Sequence, residues 1–185
     1  AEIGEHHLFK TDSKAAIDCF LKAIDQNPDE PKFYFVLAQL QFKEKQYAEA
    51  SQSFQKAIEL NPQAAAYHEF YANLLLSQQK EADLRKMAER CPQSGQYHYR
   101  LARLYENQKK NVREIIPVLQ AAVDREPENA SFRYSLAGFL NQAGQVEESK
   151  AQLQKVILLG AGTRWESLAQ ARISEMQASQ GRPEP

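Results

Sequence analysis

Four residues of one segment return at a fixed interval: Ala16, Phe20, Ala23 and Pro28 reappear 34 residues later as Ala50, Phe54, Ala57 and Pro62. A period of this length marks stacked supersecondary units, each too small to bury its apolar face alone, so that neighbours supply the core. The repeat can be followed through the small residue that lets one helix of each unit approach the next. Gly4, Ala38, Ala72, Ala102 and Ala137 fill that role, at separations of 34, 34, 30 and 35 residues. The third unit is therefore short and the fourth carries one residue more. Five units are expected, over about residues 1–30 (truncated), 31–64, 65–94, 95–129 and 130–161.

Each unit reads as two helices. From Phe33 to Phe42 the apolar residues are almost continuous, as in a helix gripped on more than one side. From Ala48 to Leu60 they fall on one face, with Ala50, Phe54, Ala57 and Ile58 opposite Glu49, Gln52, Gln55 and Glu59. Asn27-Pro28, Asn61-Pro62, Cys91-Pro92 and Glu126-Pro127 mark turns, because the residue before proline resists the helical region. Asn129 is placed to cap the fifth unit, and the turn missing from the third is expected around Gln78 to Lys80. Pro117 leaves two readings of the fourth unit. Asn111 and Glu114 have capping-box spacing, which starts the helix early and leaves the proline inside it. A start near Ile116 puts Pro117 in the tolerated first turn, and this reading is preferred. Residues 163–179 read as a helix that closes the stack, with Thr163 and Glu166 as its capping pair and Trp165, Leu168, Ala169, Ile173 and Met176 as its apolar face. Residues 181–185 read as a disordered tail.

The segment Pro31 to Ala64 carries Tyr34, Leu37, Ala38, Tyr47, Ala50, Phe54, Ala57 and Pro62 at spacings that resemble the tetratricopeptide repeat. The fourth unit keeps Leu101, Ala102, Tyr105, Leu119, Ala122 and Pro127. The third offers Leu84 and Met87 where the pattern prefers an aromatic and Ala, and the fifth ends at Gly160 without its proline. The resemblance implies an all-α chain: an α-solenoid in which antiparallel helix pairs form a right-handed superhelix, one array over residues 1–180 with a C-terminal capping helix. It also implies a concave groove lined by the first helices. Carried over unit by unit, its inner edge is Lys32, Phe35, Gln39 and Phe42; Glu69, Phe70, Asn73 and Leu76; Tyr99, Arg100, Arg103 and Asn107; and Tyr134, Gly138 and Asn141. Aromatic residues and Arg supply much of the energy at interfaces, so substitution of Phe35, Tyr99 or Arg103 is expected to weaken a partner. Family members that hold a partner's terminal carboxylate use Lys and Asn, then Asn, then Lys and Arg. The corresponding places here are Phe35 and Gln39, Phe70, and Gln96 and Arg100, so only the Arg is kept.

The function implied is a non-enzymatic scaffold or adaptor for a protein or peptide, within an assembly or biogenesis complex. Alternatives are an accessory domain of a larger enzyme, and self-association through the terminal units. With 23 Lys and Arg against 24 Asp and Glu, the chain lacks the electrostatic footprint of a nucleic-acid binder. No apolar run approaches the roughly 20 residues that span a bilayer, and direct membrane insertion is not expected. Catalytic signals are thin. His6 and His7 are neighbours and point to different sides of a helix, while His68 and His98 stand where bulky residues pack. Glu147 and Glu148 begin a helix, where the dipole favours them. No phosphate loop, metal-spaced cluster or nucleophile elbow is present in the sequence, and neither metal nor cofactor is expected. Cys19 and Cys91 lie two repeats apart, roughly 20 Å at ordinary helix spacing, too far for a disulfide. Free thiols point to the cytoplasm. Ala1 falls inside the first repeat, which suggests a fragment or processed form whose targeting segment would allow a periplasmic location.

Overall fold

The computed structural model describes residues 2–180, with side-chain surroundings from Ser13 to Ala178. The chain is an all-α solenoid of helix pairs with a C-terminal capping helix. Its helices are α1 (Glu2–Gln26), α2 (Pro31–Lys43), α3 (Tyr47–Leu60), α4 (Ala65–Ser77), α5 (Glu81–Arg90), α6 (Gln96–Asn107), α7 (Val112–Arg125), α8 (Ala130–Gln142), α9 (Val146–Leu159) and α10 (Arg164–Gln180). They gather into two compact units, residues 1–80 and 81–185. The four Asn/Cys/Glu-Pro steps all fall between helices, as their backbone restriction requires.

The turns inside the helix pairs share one geometry. Lys45, Gln79, Lys109 and Gly144 take left-handed φ values of 62°, 52°, 55° and 79°. Their spacing of 34, 30 and 35 residues repeats the spacing of the small residues. At each, the amide of the left-handed residue and the next amide reach back to two carbonyls of the preceding helix. At the first, Lys45 N–H bonds Phe42 O at 3.0 Å and Gln46 N–H bonds Gln41 O at 2.8 Å. This is the Schellman closure, which satisfies carbonyls that a helix end otherwise leaves open. Only the last uses glycine.

The first unit of the chain departs from a helix pair. The repeat register puts Gly4 and Cys19 in two helices, yet α1 runs unbroken from Glu2 to Gln26, and residues 5–26 contain neither Gly nor Pro to punctuate it. The side chains of His6 and His7 lie outside the described surroundings, and residues 181–185 lie outside the described residues. The missing turn of the third repeat is not at Gln78 to Lys80, where the closure is intact. It is removed from the second helix, since α5 has 10 residues and α3 has 14. In the fourth repeat the preferred start at Ile116 is corrected. Asn111 accepts from Arg113 N–H at 2.9 Å, Glu114 accepts from Asn111 N–H at 3.3 Å, and Pro117 sits inside α7. A complete capping box outweighs the proline because it satisfies donors at the helix start, while the proline forfeits a single interior hydrogen bond.

In residues 1–80 the core is Leu37, Ala38, Ala50, Phe54, Ala57, Tyr71 and Ala72. Buried Gln41 accepts from Ser53 at 2.7 Å and ties α2 to α3. In residues 81–185, Leu101, Ala102, Leu119, Ala122, Phe132, Leu136 and Ala137 are buried. The slender α5 buries Leu84, Met87 and Ala88 and is held to α6 by polar contacts. Glu81 pairs with Arg85 at 3.1 Å and Lys110 at 3.4 Å and accepts from Tyr105 at 3.1 Å, while Arg85 also donates to the Tyr105 hydroxyl. Cap helix α10 buries Ala169 and Met176 against Ala137, Leu153 and Val156, with Trp165 and Ile173 beside them. Its predicted apolar face is wider than the one used, because Leu168 is exposed. Thr163 accepts from Trp165 N–H at 3.2 Å, and Glu166 bonds Gly162 N–H at 2.8 Å, one residue earlier than in a standard box.

Candidate functional site

In residues 1–80, α2 and α4 carry the predicted groove positions. Phe35 is half-buried within an aromatic cluster, with ring centroids 4.5 Å from Tyr67, 5.3 Å from Phe70 and 6.0 Å from Phe54. It is therefore a packing residue first. Phe70, its edge-on neighbour, is 42% exposed, and Phe42 is 37% exposed beside Tyr47. Lys32 and Glu69 are exposed, while Gln39, Asn73 and Leu76 are half-buried. This surface offers two aromatic faces to solvent over a rigid aromatic base.

In residues 81–185 the predicted positions divide. Tyr99 stacks on Phe132 at 4.7 Å, and the Arg100 guanidinium lies over the Tyr99 ring at 5.1 Å. Asn107 is exposed and Asn141 half-buried. Arg103, Tyr134 and Gly138 do come together, lining a cavity of about 190 Å³. Arg103 pairs with Glu106 at 3.0 Å in an exposed i,i+3 bridge.

One lining residue comes from outside the first helices. Arg172 of α10 reaches into the cavity, and its guanidinium lies over the Tyr134 ring at 5.4 Å. The repeat explains why there is room. Gln39, Asn73, Arg103 and Gly138 are equivalent positions by the 34, 30 and 35 spacing. At the last of these the side chain is absent, and Arg172 occupies its place: a β-carbon on Gly138 would stand 3.3 Å from Arg172 Nη2. Sequence reasoning placed Gly138 on the inner edge but missed Arg172. Its signal was an arginine at the margin of the α10 stripe formed by Ala169, Ile173 and Met176.

His68 and His98 are both packed within the fold. His68 is buried and its Nε2 bonds Pro62 O at 2.8 Å. His98 is half-buried, and burial, aided by the charge of Arg125, pushes its pKa down to about 4. It lines a second cavity of about 260 Å³ with Arg85, Leu101 and Pro117. Both thiols are free, Cys19 exposed and Cys91 buried, and burial raises the Cys91 pKa. Among the described residues no cluster could hold a metal ion, and no helix is long and apolar enough to cross a membrane.

Two family models described as tetratricopeptide repeat match the chain, one over residues 2–65 and 38–84 and the other over 107–173. The chain belongs to the tetratricopeptide repeat family. Proteins of this family are generally non-catalytic scaffolds that bind protein or peptide partners. No curated protein sequence matches the chain. Similar solved structures include TTC0263, a thermophilic tetratricopeptide repeat protein of Thermus thermophilus, with 17% identity, coverage of 96% of each chain and a TM-score of 0.55. The C-terminal part of a repeat-containing protein of Cytophaga hutchinsonii has 17% identity and a TM-score of 0.60, covering 95% of this chain and 70% of that one. MamA (residues 41 to the end) of Desulfovibrio magneticus RS-1 has 16% identity and a TM-score of 0.51, covering 98% and 94%. At these identities the likeness concerns the fold alone. The family's repeat register nevertheless makes Gly138 legible, since it defines which side chain is missing.

Proposed function

We propose that this chain is a non-enzymatic adaptor that holds a segment of a protein partner against its first-helix surfaces. The observation that carries this reading is the cavity in residues 81–185, where Arg103, Tyr134 and Gly138 converge from repeat positions that face the same way on α6 and α8. Exposed Phe70 and Phe42 give residues 1–80 an aromatic surface of their own. The packing of Phe35 and Tyr99 makes them poor probes, because their removal damages the scaffold. The test is binding of the intact chain to an array of capped 12-residue peptides of varied charge. Phe70→Ala and Arg103→Ala should each weaken the peptides that bind while leaving the far-UV circular dichroism unchanged. Unchanged affinity in both variants would move the site elsewhere.

A second reading is self-association at the C-terminal end. Leu158 is 79% exposed at the end of α9, and Leu159 and Leu168 are 42% and 41% exposed. Large exposed apolar side chains of this kind favour burial against another surface. Light scattering over a concentration series tests it, since a constant monomer mass would sink the idea.

A further inference from the structure

The cavity beside Gly138 holds two guanidinium groups with unequal commitments. Arg103 is engaged with Glu106, but both side chains are nearly half exposed, where such a pair contributes little. Among the described residues no carboxylate pairs with Arg172. Among them its contact is the face of Tyr134, and no oxygen accepts a hydrogen bond from it. A guanidinium carries five donors in a planar fork that matches a carboxylate with two parallel hydrogen bonds. The Tyr134 ring attracts the guanidinium by a cation–π contact, and both terminal nitrogens lie beside Gly138 on the cavity lining, 3.3 and 3.5 Å from where a β-carbon there would stand. Gly138 leaves room for the guanidinium, because a side chain longer than that of alanine would fill the place that Arg172 occupies.

We propose that this cavity receives the side-chain carboxylate of an acidic residue in a partner segment, with Arg172 as the principal donor and Arg103 as the second. Charge complementarity selects the ligand: two cations face a volume of about 190 Å³, with Glu106 the acidic group on its lining. The volume is suited to the end of a side chain rather than to a folded surface. A chain terminus is the other source of a carboxylate. The places that the family resemblance assigns to a terminal carboxylate are occupied here by Phe35, Gln39, Phe70 and Gln96, none of them cationic, with Arg100 alone retained. The fork is supplied instead by the cap helix, so the specificity determinant lies outside the repeats and compensates for a side chain that the last repeat lacks.

This inference rests on the adaptor reading, and one experiment separates the two. The intact chain and its Arg172→Ala and Gly138→Gln variants are titrated with three sets of labelled peptides: internal Glu with an amidated end, the same peptides with Gln for Glu, and Gln peptides with a free C-terminal carboxylate. The Glu peptides should bind at least tenfold more tightly than the Gln peptides. Arg172→Ala should abolish that difference, and Gly138→Gln should reduce it by displacing the guanidinium while α8 and α10 keep their helicity. Equal binding of Glu and Gln peptides, or a Glu preference that survives Arg172→Ala, would overturn the carboxylate site and leave the adaptor reading standing. A preference for the free C-terminus over internal Glu would overturn the assigned source. Absence of binding by every peptide would overturn both readings.

Discussion

Arg172 Nη2 lies 3.3 Å from the position a β-carbon on Gly138 would take, so a glycine of α8 and an arginine of α10 share one place on the inner surface. The relationship is asymmetric. Glycine within a helix is destabilising by about 0.5–1 kcal/mol relative to alanine, whereas the end of an arginine side chain can shift by tenths of an ångström at small cost. Gly138→Ala is therefore expected to raise the unfolding free energy by about 0.5 kcal/mol. Urea denaturation followed by circular dichroism checks this. A loss of more than about 1 kcal/mol would mean that Arg172 is held rigidly and that the cavity is overpacked by one methyl group.

Gly95 should behave in the opposite way. A β-carbon there would stand 2.6 Å from Ala122 O and 2.9 Å from Phe132 Cε2, one of them backbone and the other a buried ring. Neither can retreat without moving α7 or α8. The amide of Gly95 is also fixed by Glu126 at 2.7 Å. Gly95→Ala is expected to destabilise residues 81–185 by about 1–3 kcal/mol, the usual range for overpacking. The same urea experiment reads it, and an unchanged midpoint would show that the close approach is not maintained in solution.

The left-handed closures give a third prediction. Lys45, Gln79 and Lys109 adopt φ values of 62°, 52° and 55°, which cost side-chain-bearing residues about 1–2 kcal/mol relative to the ordinary region. Glycine relieves that cost but gives up part of it to greater freedom in the unfolded chain. Lys45→Gly and Gln79→Gly should each stabilise by roughly 0.5–1 kcal/mol. Lys109→Gly should do the same without disturbing the neighbouring Lys110 to Glu81 bridge at 3.4 Å. Thermal unfolding of the three single variants checks the sign, and a lower midpoint in all three would refute the strain argument.

These closures also show where the sequence was readable. Ala38, Ala72, Ala102 and Ala137 reveal the period because helix crossing demands a small side chain at each repeat, and all four are nearly solvent-free. The turns that share the same period were concealed, since three of the four lack the glycine by which such a turn is recognised. Pro117 misled for a related reason. Local propensity argued against an interior proline, but Asn111 and Glu114 together satisfied the helix start more fully than a later start allows. For the site, Arg103, Tyr134 and Gly138 followed from repeat register, whereas Arg172 did not. It reaches the cavity from α10, and a repeat pattern contains no information about a helix that does not repeat.

Two groups in residues 81–185 make stability depend on pH in adjoining windows. Burial and Arg125 lower the His98 pKa from 6.5 to about 4, so the folded chain holds this imidazole neutral where the unfolded chain protonates it. The unfolded state binds the additional proton, and the stability present above pH 6.5 is lost progressively as pH falls toward 4. A shift of this size corresponds to about 3 kcal/mol, but partial exposure of the ring reduces the expected loss to about 1–2 kcal/mol. Glu81 acts below that window. Burial raises its carboxyl pKa, but the hydrogen bonds from Arg85 and Tyr105 and the charge of Lys110 outweigh burial and hold it below 4.5. A lowered carboxyl pKa contributes stability that is present above the unfolded value and is lost as pH falls through the folded one. Urea unfolding measured from pH 7.5 to 3.5 should therefore decline in two stages. His98→Gln should flatten the first stage and spare the second, and Glu81→Gln should do the reverse at the cost of a lower plateau near neutrality. An unaltered slope between pH 6.5 and 4.5 in His98→Gln would show that the ring is solvated in the folded chain and titrates as it does in the unfolded one.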